Sequence, residues 1–157
     1  MRTGKMILTA LVISSTAAIA QKPMPATKGF TQLPGGVEYK IAYNKPGTLN
    51  PKNGDYVEAH MYVEVDGEMI YNSRQVNENK PVSFVMTQPK SKTDIQEVIK
   101  LLSEGDSVVI KFSVDSLIKS GVDQLRWMKP NTGQKATYFV KMVQIKQMGS
   151  NVGSNSK

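Results

Sequence analysis

Residues 94–115 read Asp-Ile-Gln-Glu-Val-Ile-Lys-Leu-Leu-Ser-Glu-Gly-Asp-Ser-Val-Val-Ile-Lys-Phe-Ser-Val-Asp, and the spacing of their apolar residues changes once. Ile95, Val98, Ile99 and Leu102 stand at i, i+3, i+4 and i+7, with Gln96, Glu97, Lys100 and Ser103 between them. That spacing predicts an amphipathic helix with one buried stripe. Asp94 and Glu97 have capping-box spacing, which starts the helix at Asp94. Gly105 predicts its stop, because glycine takes the left-handed C-terminal conformation without a Cβ clash. Beyond Asp106-Ser107 the period is two. Val108, Ile110, Phe112 and Val114 point one way and Val109, Lys111, Ser113 and Asp115 the other, as in a strand with one buried face. The expectation is a helix lying on the sheet that contains this strand.

Working outward, Val37 to Ala42 alternates as a short strand, and the Pro- and Gly-rich stretch from Asn44 to Gly54 reads as a loop. Tyr56 to Val65 places Val57, Ala59, Met61, Val63 and Val65 on one face, and Asp66-Gly67 is a hairpin signal that returns the chain along Glu68 to Ser73. Arg74 to Lys80 reads as an exposed connection or bulged edge. Pro81 opens a strand carrying Val82, Phe84 and Met86, and Thr87 to Thr93 leads into the helix. Leu117 to Gly133 is a long connection of the kind that often carries function. Lys135 to Ile145 is the last strand, with Ala136, Tyr138, Val140 and Met142 on one face. Five or six antiparallel strands with a single helix across one face make an α+β domain.

Arg2 and Lys5, the apolar run from Met6 to Ile13 and Ala18-Ile19-Ala20 make residues 1–20 an expected export signal, cut before Gln21. The apolar run is far short of the roughly 20 residues that span a bilayer, so no integral membrane segment is expected after cleavage. The 157 residues less those 20 leave 137, enough for one domain. Residues 21–36 read as a linker, 37–146 as the domain and 147–157 as a disordered tail. Export places the protein in the periplasm or outside the cell. With no cysteine, neither disulfides nor a thiol-linked lipid anchor is available, so the core must hold the fold. The net charge of +7 falls to +5 without Arg2 and Lys5, and the lysines are scattered, so the sequence offers no basic stripe for nucleic acid.

The single histidine, His60, has Glu58 and Glu64 at even spacing but lacks the partners of a metal site. Ser73, Ser91 and Ser113 sit in no nucleophile motif, and no Gly-rich phosphate loop precedes a helix. No metal and no cofactor is expected. Function by an apolar pocket is what remains.

The ordered series Leu33-Pro-Gly-Gly-Val-Glu-Tyr-Lys-Ile41, Gly54-Asp55-Tyr-Val57, His60, Asp66-Gly67, Asn72-Ser73-Arg74, Lys80-Pro81, the helix and Gly105-Asp106 resembles the FKBP-type peptidyl-prolyl cis-trans isomerases. The resemblance covers Leu33 to Ile145 and looks closest to exported Gram-negative bacterial members, with Ser113-Val-Asp-Ser-Leu117 and Lys129-Pro130. It implies an antiparallel half-barrel wrapped on one helix, an apolar groove between them, and catalysis of Xaa-Pro isomerisation without a cofactor. The substrates it implies are proline-containing polypeptides, and the chain is expected to be a monomer.

Carried over by position, the resemblance implies a pocket lined by Met61, Ile70, Tyr71, Val82, Phe84, Ile95, Ile118 and Val140. Several of the family's aromatics are replaced: its strand tyrosine by Met61, the tryptophan of its pocket floor by Ile95, and the phenylalanine of its last strand by Val140. The apolar pair before the helix becomes Ser91-Lys92, and Tyr71 or Trp127 could supply a lost wall. The reading is therefore an isomerase assisting exported proteins. The alternative is a weakly active or inactive binding or chaperone module of the cell envelope, and dimerisation through a sheet edge is a third.

Overall fold

Alternating apolar residues build a single antiparallel sheet in the computed structural model, which describes residues 28–46 and 49–148. The expected export signal, the linker up to residue 27 and the tail from residue 149 lie outside those residues. The elements in order are β1 (Thr31–Gln32), β2 (Glu38–Tyr43), β3 (Tyr56–Val65), β4 (Glu68–Asn72), α1 (Ser73–Val76), β5 (Val82–Val85), α2 (Gln96–Ile99), β6 (Ser107–Ser113), α3 (Val114–Lys119) and β7 (Lys135–Lys146). The strand order is β1-β2-β6-β7-β3-β4, and β5 also pairs with β3. The sheet thus has seven strands among the described residues, against an expectation of five or six. The strand left out of that count is β1. Its two residues, within the stretch read as linker, are too few to show a period, and they pair with Tyr39 and Glu38.

The core is built from the inward residues of three long strands. Val57, Ala59, Val63 and Val65 of β3, Val108, Ile110 and Phe112 of β6, and Ala136, Val140 and Met142 of β7 are all buried. Val98, Ile99 and Leu102 close the core from α2 and the turn after it, each fully buried, and each such side chain contributes about 1.5–3 kcal/mol of transfer free energy. The apolar stripe is as read, but the helix is shorter. Only one turn is α-helical, with Ile99 N–H bonded to the Ile95 carbonyl (3.1 Å) and Lys100 N–H to the Gln96 carbonyl (3.2 Å). Past it the bonds shorten to i→i+3, from Leu101 N–H to the Val98 carbonyl (2.9 Å) and from Leu102 N–H to the Ile99 carbonyl (3.0 Å), the tighter 3₁₀ pattern that ends the helix. The capping box is half formed. The Asp94 carboxylate accepts from Gln96 N–H (3.0 Å) and Lys90 N–H (3.0 Å), whereas Glu97 pairs with Lys100. Gly105 is left-handed, with φ +86°, but it belongs to a separate turn. That turn is held by the buried Asp106, which accepts from Ser103 N–H (2.8 Å) and Lys45 N–H (2.6 Å).

Instead of one helix, three short ones occur among the described residues. α3 opens the long connection: the strand ends at Ser113, whose hydroxyl caps Ser116 N–H (3.4 Å), and Val114 stays buried as the first helical residue. α1 replaces the expected exposed connection after the hairpin. Asn72 caps it by accepting from Arg74 N–H (3.0 Å). The hairpin itself follows the sequence, with Asp66 (φ 53°) and Gly67 (φ 82°) both left-handed as a type I′ turn requires.

β3 is shared between two short partners. β5 pairs with Tyr56 to Ala59, and β4 with Tyr62 to Val65. At the gap the Met61 N–H donates to the hydroxyl of Ser73 (2.9 Å), which is fully buried. This side-chain bond stands in for the missing ladder bond and fixes the backbone at Met61.

Candidate functional site

The gap in β3 lies beside a groove of about 440 Å³ between the sheet, the 90–95 segment that leads into α2, and the end of α3, a size suited to a small apolar group or a short piece of peptide. Met61 from β3, Phe112 from β6 and Tyr138 from β7 form its sheet wall. Ile95 forms the helix side, and Leu117 with Ser120, Gly121 and Val122 closes the end where α3 turns out of the sheet. Lys90, Ser91, Thr93 and Asp94 frame the mouth.

The arrangement is apolar within and polar at the rim. Tyr138 meets the buried Phe112 edge-on, with ring centroids 5.0 Å apart and planes at 77°, the geometry an aromatic pair prefers. Burial raises the Tyr138 phenol above its ordinary pKa, so it stays a neutral hydroxyl at physiological pH. Both Asp94 oxygens accept backbone N–H bonds that shape the 90–96 segment. Ser91 and Thr93 hydroxyls bond each other at 3.0 Å. The walls offer no acid–base pair, so what the groove can do is exclude water and select a shape.

Of the residues expected to line a pocket, Met61 and Ile95 do so. Val140 is buried in the core, faces Met61 across the β3–β7 ladder, and borders a separate hollow together with Met61. Ile118 and Phe84 pack on the core from half-buried positions, and Val82 is half-buried opposite Ala59. Ile70 is exposed on β4, and Tyr71 lies opposite Val63. Those six lie outside the groove lining. Trp127 packs on the core and its carbonyl accepts from Gln134 (3.1 Å), which makes it a loop anchor.

Tyr138, Phe112, Leu117 and Val122 line the groove without having been read as site residues. Tyr138 had a signal. It stands two residues before Val140 on the same inward face of the last strand, and it keeps the aromatic that Val140 lacks. Leu117 and Val122 had none, since their place depends on α3.

The sequence matches no protein-family model and no curated protein. Solved structures match in shape. FkpA from Escherichia coli aligns with a TM-score of 0.59 at 20% identity, over 76% of this chain and 53% of its own. The fold is FKBP-like. A peptidyl-prolyl cis-trans isomerase from Pseudomonas syringae pv. tomato aligns at a TM-score of 0.58 and 15% identity, over 78% of this chain and 84% of its own. The chain spans about half the length of FkpA. Among the described residues no helix is long and apolar enough to cross a membrane.

Proposed function

We propose that this chain is an FKBP-type peptidyl-prolyl cis-trans isomerase acting on Xaa-Pro bonds of exported polypeptides. The observation that carries the reading is the apolar groove, bounded by Met61, Ile95, Phe112 and Tyr138 and lying between sheet and helix, where the family resemblance implies a substrate site. Rotation about the prolyl bond is slow because it costs roughly 18–20 kcal/mol of amide resonance. The twisted amide has lost that resonance, and its carbonyl is less polar, so it leaves water for an apolar wall more readily than the planar form does. A groove that binds the twisted form better by about 4 kcal/mol accelerates rotation about a thousandfold. No proton transfer, metal or cofactor enters this scheme. Ile95 and Met61 would hold the proline ring, and Tyr138 would border the twisting carbonyl with its neutral hydroxyl.

Export rests on Arg2, Lys5, the apolar run after them and Ala18-Ile19-Ala20, and it puts the activity in the periplasm or beyond, on a chain that acts as a monomer. The sparse aromatic lining favours a second reading, a binding or chaperone module on the same fold. The test is isomerisation of Leu-Pro and Phe-Pro peptides by the purified protein, by Ile95→Trp and by Tyr138→Ala. Acceleration by the parent, reduced at least tenfold in Tyr138→Ala, supports the isomerase. A silent parent with activity restored in Ile95→Trp supports the binding module, and silence in all three refutes the site.

A further inference from the structure

On the opposite face of the sheet a second hollow, of about 260 Å³, lies over the middle of β3, β6 and β7. Its floor is apolar: Tyr62 and Phe139, neighbours across the ladder, stack with ring centroids 4.1 Å apart and planes within 5°, and Val109 continues the row. One end is basic. His60, Arg74 and Lys141 all line it. The Nδ1 of His60 is buried and has no hydrogen-bond partner among the described residues, a condition that costs about 1–3 kcal/mol. Neither Arg74 nor Lys141 is paired with an acid among the described residues.

We infer that this hollow is a binding site for a carboxylate attached to an aromatic or branched apolar body, with the ring on Tyr62 and Phe139 and the carboxylate between His60, Arg74 and Lys141. The volume is just below the range of drug-sized ligand sites, which restricts the occupant to roughly one ring and a short acid arm. Two cations beside a half-buried aromatic floor supply the charge-assisted bonds that hold a carboxylate. The free acid and the C-terminal carboxylate of a peptide ending in an aromatic residue share this chemistry. The inference does not rest on the proposed function, although Met61 borders both hollows.

His60 is the chain's one histidine, so its ring signals report on this site alone. Burial first, then Arg74 and Lys141, hold its pKa below the ordinary value, and a bound carboxylate opposes the two cations. The charged groups around it are Arg74 on α1, Lys141 on β7, and, on its own strand face, Glu58 and Glu64. Glu58 is bonded to Lys146 at 3.5 Å, and β6 and β2 present the uncharged Ser107 and Ala42.

The experiment titrates the purified chain with 3-phenylpropionate, with its neutral amide, and with a short peptide ending in phenylalanine, following the His60 ring by NMR. Saturable shifts with the acid, a raised His60 pKa, at least tenfold weaker binding of the amide, and about tenfold weaker acid binding in Arg74→Gln are expected. Tighter binding of the peptide than of the free acid, or the reverse, assigns the source within the same site. Equal binding of acid and amide, or no saturation by either carboxylate at about 20 mM, overturns the inference. Arg74 is exposed, so its substitution leaves the fold intact.

Discussion

Replacing Ser73 with alanine removes a single buried oxygen, and the structure says what that oxygen does. It accepts the Met61 N–H at the point where β3 has passed from one partner strand to the other, and Ser73 is fully buried. Without it the N–H of the half-buried Met61 loses its acceptor, a loss of about 1–3 kcal/mol. For a domain of this size each kcal/mol lowers Tm by about 4 °C, so the variant should melt about 4–12 °C below the parent. Thermal unfolding followed by circular dichroism measures this, with Ser83→Ala on the exposed side of β5 as a control expected to change little. Amide exchange adds a local readout: Met61 should lose protection while the core amides of β6 keep theirs relative to the new global stability. A Tm change under about 2 °C, or an unchanged Met61 amide, would show that the ladder closes in some other way.

Asp66 is held below its ordinary carboxylate pKa by its hydrogen bonds to Gln134 and Lys129. Its contribution to stability is present above pH 4 and is lost as pH falls through the lowered folded-state value. Asp66→Asn keeps a residue suited to the I′ turn but removes the charge, so urea unfolding of this variant should fall less steeply over that acid range than the parent's. Val140→Phe should cost about 1–3 kcal/mol by overpacking a filled core, without restoring any groove activity, as denaturation and the peptide assay together would show. Gly67→Ala, at φ 82°, should cost about 1–2 kcal/mol in the same denaturation experiment.

The long strands were legible because one face of each is buried, and burial writes a period of two into seven to twelve residues. β3 begins and ends where alternation places it. Short elements leave no such trace: β1 has two residues, and α1 and α2 four each, so their formation is decided by Asn72, Asp94 and packing against the sheet. Val114 shows the limit of pattern reading, since it continues the apolar alternation of β6 yet begins a helix and stays buried in either role. The groove was half legible for the same reason. Met61 and Ile95 belong to elements whose course is fixed by period, whereas Leu117 and Val122 arrive through a turn that periodicity does not encode. Val140 and Tyr138 both lie on the inward face of the last strand, and alternation alone does not say which of the two borders the groove.

The division of β3 between two partners also bears on how the molecule meets its own copies. A ten-residue strand with one uninterrupted neighbour would hand the sheet's flank a full-length row of unpaired backbone groups, a template for further chains. Here the flank is cut into pieces of five and four residues, with a helical turn and the left-handed Glu78 and Asn79 set between them. Among the described residues no long run of backbone is left in register on this flank for another strand to copy, which guards that edge against stacking at high local concentration.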